Sequence, residues 1–158
     1  MYNYSLIDTL TETYTKSILS KITDKTTHKL ADFFPDTIGL IYVDIDNMKY
    51  INDYYGLPSG DIVVKSVAQT IHNMLSENDY IIRWAGDEFV LILPGKILED
   101  TISFAHNICK AVETSDNSIA PITISVGVAM YDNQSFENSI KNAYSVMKKQ
   151  KAHSKNEN

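Results

Sequence analysis

The stretch "IGLIYVDID", from Ile38 to Asp46, limits the fold more than any other part of the chain. It is a continuous apolar run that ends in acids. A strand with one wet face alternates polar and apolar residues; a run like this one suits a strand buried on both faces. Such a strand needs cover above and below, so helices are expected to pack over a central sheet. "YIIRW" and "FVLIL" are short β-rich runs on either side of "AGDE", where Gly86 supports a tight turn, and they read as a hairpin. "PITISVGVAMY" alternates: Ile122, Ile124, Val126, Val128 and Met130 face one way, and Thr123, Ser125, Gly127 and Ala129 the other.

The helices follow from a longer period. "SGDIVVKSVAQTIHNML" sets Val63, Val64, Val67, Ala68, Ile71, Met74 and Leu75 at helical spacing. "ILEDTISFAHNICKAV" points Ile97, Leu98, Ile102, Ala105, Ile108, Cys109 and Val112 inward. A last helix begins near Phe136 and fades into polar residues. Ahead of the first strand, Leu10, Ile18, Leu19, Ile22, Leu30 and Phe33 fit a helix that "TDKTTHK" should weaken or break. The expected order is helix, strand, helix, hairpin, helix, strand, helix. This describes one α/β domain, residues 1–158, with a mixed sheet and no repeat, linker or separate sensor domain.

A hydrophobic fraction of 44% and a charged fraction of 22% fit an ordinary globular protein. The formal net charge of -6 argues against a general binder of nucleic acid, which needs a basic face. A small anionic substrate remains open, because metal ions can supply positive charge locally. Cys109 is the only cysteine, so no intrachain disulfide can form, and its apolar stripe makes it a core residue. "MYNYSLIDTL" has no basic segment followed by an apolar one, and no apolar run approaches the roughly 20 residues of a membrane span. The expectation is a cytoplasmic protein with no membrane partner.

The acids carry the functional signal. Asp44 closes the buried strand, and Asp87 and Glu88 lie at the turn of the hairpin. If the hairpin pairs beside that strand, carboxylates from two segments meet at one sheet end. Hard divalent cations take oxygen ligands from a few carboxylates and substrate phosphates. The same acids also fit plain turn residues, and Asp46 fits a helix cap.

"VDIDNMKYINDYYGLPSGD" followed by "RWAGDEF" resembles the GGDEF family of diguanylate cyclases. "DTLTETYTK" resembles its opening segment, "TISVGVA" its late strand and "AYSVMKKQKAHSKN" its closing helix. The resemblance implies a palm-type, nucleotidyl-cyclase-like sheet of about five strands covered by helices. It implies condensation of two GTP molecules into cyclic di-GMP, with pyrophosphate released, in a homodimer that can be transient. Asp44, the Ile45 carbonyl and Asp87 then correspond to ligands of two Mg²⁺ ions per site, with Mn²⁺ as a substitute. By the same resemblance, Asp87 corresponds to an acid close to the ribose 3′-hydroxyl, and Glu88 to the neighbouring acid of a catalytic group with Asp44 and Asp87. Asn52 and Asp61 correspond to readers of guanine, Gly86 to the turn against the substrate, and Lys49, Lys151 and Lys155 to phosphate contacts. Asp61 also fits a helix first-turn acid, and the two C-terminal lysines a solvated tail.

The sequence departs from the family in four places. Ala85 replaces the first glycine of the signature, Leu57 a histidine, and Glu12 and Thr15 a glycine and an asparagine of the opening segment. Ser76 stands where the family's product-inhibition site has arginine, with Asp79 kept, so product feedback is expected to be absent or weak. Two rival readings follow: a catalytically silent GTP-binding regulatory module, and a related nucleotidyltransferase making another cyclic dinucleotide.

Overall fold

The computed structural model describes residues 5–27 and 36–157; the side chains of residues 26–27 and 154–157 fall outside that description, as do Leu30 and Phe33. The elements are α1 (Ile18–Thr27), β1 (Ile38–Ile45), α2 (Met48–Tyr55), α3 (Leu57–His72), β2 (Tyr80–Ala85), β3 (Glu88–Pro94), α4 (Leu98–Thr114), β4 (Ile124–Met130) and α5 (Phe136–Glu157). The strands form one sheet in the order β2-β3-β1-β4. All three ladders are antiparallel. The mixed sheet of about five strands expected from sequence takes the form of these four plus one parallel bridge, Tyr14 to Ile82, on the β2 edge.

β1 is central and covered on both faces, which explains its unbroken apolar run. Ile41, Val43 and Ile45 join Phe89, Leu91 and Leu93 under α2, α3 and α4. Leu40 and Tyr42 face the other way with Val90 and Ile92, against Ile18 and Ile22 of α1 and Phe136, Ile140, Ala143 and Met147 of α5. A strand buried on both faces is usual in parallel sheets; here two helical layers produce the same pattern on an antiparallel one.

Two glycines let the layers close. A Cβ on Gly39 would meet Thr101 Oγ1 of α4. A Cβ on Gly127 would meet the backbone of α5 at Ala143 and Met147. Gly56, at φ 92°, ends α2 and starts α3; α2 is a helix that sequence periodicity did not show, and α3 begins two residues ahead of the stretch read as helical. α1 continues through the threonine-rich segment to Thr27, with Ile18 and Ile22 anchored in the core, and Leu10 precedes it in turns. Cys109 is partly buried against the α4 side of the core, and burial pushes its thiol up to about 11. Among the described residues no helix is long and apolar enough to cross a membrane.

Candidate active site

The register of the two central strands builds the site. Asp44 lies directly opposite Glu88 in the β1–β3 ladder, and side chains opposite one another share a face. Gly86 and Asp87 form the connection between β2 and β3. The Ile45 N–H donates to the Asp87 carbonyl at 3.0 Å, which ties that connection to the end of β1. Asp44, Asp87 and Glu88 are all partly buried, and each offers a carboxylate oxygen within 4.8 Å of the others. Like charges placed this way repel. Burial, and then the neighbouring Asp44 charge, push the Asp87 carboxyl above its ordinary value.

Three groups restrain the cluster. Lys151 of α5 donates to Asp44 Oδ2 at 3.0 Å and lies 3.4 Å from Asp46 Oδ1. Burial draws the lysine down, but the hydrogen bond and charge of Asp44, with Asp46 behind them, hold it above its ordinary value. Asp46 accepts hydrogen bonds of 2.6 Å from the hydroxyls of both Thr123 and Ser125. It does not cap α2: Asn47 takes that place in the left-handed region, with no side-chain cap bond. The Tyr42 hydroxyl donates to Glu88 Oε2 at 2.5 Å, and burial and the glutamate keep it well above the usual phenol value.

Arg83 fixes the turn from behind. Its Nε and one terminal nitrogen donate to the Gly86 carbonyl at 3.2 and 2.8 Å. The other terminal nitrogen reaches both Asp8 oxygens, at 3.3 and 3.1 Å. Asp8 also accepts from the Thr11 N–H and hydroxyl. Ala85 pairs with Glu88 and is absent from the residues with positive φ, so the turn does not require glycine there. A Cβ on Gly86 would meet nothing within 4 Å, so its surface is open to a ligand.

The remaining sequence-derived residues lie on α2, α3 and α5. Asn52 Oδ1 rests where a Cβ of Gly60 would be, so Gly60 seats the amide next to the start of Asp61. Asp61 is exposed beyond the first turn of α3, which contains no acid. Lys49 is exposed on α2, beside Tyr50 and Tyr54. Lys155 lies on α5 with its side chain outside the description. A cleft of about 1410 Å³ between α1 and α5 touches Glu88 and Ala85 but not Asp44, Asp87, Asn52 or Asp61. Of the three acids, only Glu88 lines that cleft; Asp44 and Asp87 gather with it at the sheet end.

Sequence reasoning missed Tyr42, Asp46, Arg83 and Asp8 as parts of this site. Some signal was available. Thr123 and Ser125 alternate on the polar side of their strand, and Tyr42 is the one polar-tipped residue inside an apolar run. The donor set suits a hard divalent cation: carboxylate oxygens from adjoining strands, partly open, with mutual repulsion that a cation relieves.

An antiparallel sheet with helices on both faces and acids gathered at one end defines a palm-type, cyclase-like domain. The family described as "Diguanylate cyclase, GGDEF domain" matches residues 5–157, and the chain belongs to it. It is 36% identical over 105 residues to diguanylate cyclase DgcM of Escherichia coli, covering 65% of this chain and 26% of that protein. It is 35% identical over 101 residues to diguanylate cyclase A of Treponema denticola, covering 61% and 27%. The chain thus spans about a quarter of the length of these curated relatives. The GGDEF domain of DgcB from Caulobacter crescentus, solved in complex with c-di-GMP, superposes with a TM-score of 0.84 at 23% identity, covering 97% of this chain and 94% of that one. That likeness establishes the fold.

Proposed function

We propose that this chain is a diguanylate cyclase domain that condenses two GTP molecules into cyclic di-GMP and two pyrophosphates. The observation that carries the reading is the convergence of Asp44, Asp87 and Glu88 at the end of β1 and β3. Asp44, Asp87 and the Ile45 carbonyl would hold two Mg²⁺ ions, or Mn²⁺ in their place, with Glu88 alongside. Bound there, such ions activate an attacking oxygen and stabilise a leaving one.

The protein's own groups do the rest. Asp61 accepts from guanine N1–H and the 2-amino group, and Asn52 donates to a ring acceptor or O6. Gly86, with no side chain, lets the nucleotide approach the turn. Lys49, Lys151 and Lys155 contact the phosphates. The 3′-hydroxyl beside Asp87 sheds its proton as it attacks the α-phosphate of the other GTP, and pyrophosphate leaves. One chain carries one such set of residues, so two chains face each other to close both bonds. This dimer is a homodimer and can be transient.

Substitution tests the roles separately. Asp44→Ala or Asp87→Ala removes product formation while the circular-dichroism spectrum is retained. Asp61→Ala lowers GTP turnover steeply, and the intact chain rejects ATP by as much as roughly 10⁴-fold, because its reader finds no partner on adenine. Near wild-type turnover in either metal-ligand variant, or equal use of ATP and GTP, contradicts the reading.

A further inference from the structure

We propose that Tyr42 is a positioning residue for the cation site: it holds one oxygen of Glu88 and so keeps the other turned toward Asp44 and Asp87. The proposal rests on the reading of those acids as a divalent-cation site. Tyr42 precedes Asp44 by two residues on β1, so both side chains project from the same face of the sheet. Its hydroxyl donates to Glu88 Oε2 at 2.5 Å. The ring is 4% exposed and is held edge-on by Tyr144 of α5, with ring centroids 5.0 Å apart and planes at 69°. Opposite it on β4 stands Gly127, which has no side chain to displace the ring.

Both ends of the hydrogen bond are thus fixed by elements that meet at the site. Glu88 is held by its pairing with Asp44, and Tyr42 by β1 and α5. A glutamate free to rotate loses rotamer entropy when it binds a cation. Glu88 has already lost it, because turning its carboxylate away breaks the bond to Tyr42. Partners that orient a ligating carboxylate in this way commonly change metal affinity by about 10- to 100-fold when removed.

The test is titration of the protein with Mn²⁺ alone, with free Mn²⁺ read by electron paramagnetic resonance, so that no catalysis is involved. Tyr42→Phe keeps the buried ring and removes only the hydroxyl. Its Mn²⁺ affinity should fall about 10-fold or more, with a melting temperature close to that of the native chain. Glu88→Ala should also bind Mn²⁺ weakly, and adding Tyr42→Phe to it should cause no further loss, because the tyrosine acts through the glutamate. A further loss in the double variant, or native Mn²⁺ affinity in Tyr42→Phe, overturns the proposal while leaving the cation site standing. A native chain that takes up no Mn²⁺ into the millimolar range overturns the cation site and the proposal together. A native chain that binds Mn²⁺, loses affinity with Tyr42→Phe and yet makes no cyclic dinucleotide supports the positioning role and contradicts only the cyclase reading.

Discussion

Glu12 has a φ of 60°, in the left-handed region, and its N–H donates to the Asp8 carbonyl at 2.8 Å. The geometry explains why the related opening segment carries glycine at this point. A side chain in that conformation costs about 1–2 kcal/mol, whereas glycine loses about 0.5–1 kcal/mol more chain entropy on folding. Glu12→Gly should raise stability by up to about 1 kcal/mol, read as a higher urea midpoint with unchanged slope; a lower midpoint contradicts the argument. Asp8, in the same turn, gives a pH signature. Burial raises its carboxyl, but the Thr11 hydrogen bonds and the Arg83 charge outweigh that and hold it below 3.8. A folded value below the unfolded one stabilises the fold fully above the ordinary value and ceases to do so as pH falls through the lowered one. Asp8→Asn should therefore cost stability near neutral pH and progressively less below 3.8. An equal cost at both ends, measured by denaturant titration, contradicts the pairing.

At the scale of elements, α5 is set by the absence of a side chain. A Cβ on Gly127 would lie 2.1 Å from the Ala143 carbonyl oxygen and 2.4 Å from the Met147 nitrogen. Backbone cannot step aside as a side chain can, so Gly127→Ala should cost roughly 1–3 kcal/mol or more. The same shift would carry Lys151 off Asp44, so activity should fall with the melting temperature. An unchanged melting temperature contradicts the close approach. The elements most legible in the sequence were β1 and β3, whose apolar runs answer to helices on both sides, and the hairpin around Gly86. α2 was not legible as a separate helix, because only Met48 and Ile51 on it are buried. At the start of α4, Ile97 just ahead of the helix and Leu98 and Ile102 on it were expected inward but are 46%, 48% and 40% exposed. Thr101 takes the inward place, because Gly39 on β1 leaves room for it. Spacing within one helix cannot reveal a gap on another element. The three acids were legible as neighbours once the hairpin was placed beside β1. Their restraints were not, since Asp8, Tyr42, Asp46 and Arg83 act through contacts between segments far apart in the chain.

At the scale of the molecule, the site lies where β1, β3 and α5 meet, at an open end of the sheet. Among the described residues there is one such acid cluster, so on the proposed reading product formation depends on an encounter between chains. Specific activity should climb roughly in proportion to protein concentration below the dimer dissociation constant and flatten above it. A parallel coiled coil fused at the N-terminus should raise the rate at low concentration by setting an effective concentration near the millimolar range. A flat specific activity, unchanged by the fusion, contradicts a transient dimer. The net charge of -6 opposes such encounters, and salt should reduce that opposition. The central claim is the reaction itself, and mass analysis of the product tests it most directly. The chain is incubated at high concentration with GTP and Mg²⁺, and the nucleotide product and pyrophosphate are quantified together. The account predicts cyclic di-GMP with two pyrophosphates for each molecule formed, and none from ATP. GTP that is bound but recovered intact, or a cyclic dinucleotide of another base, would contradict it.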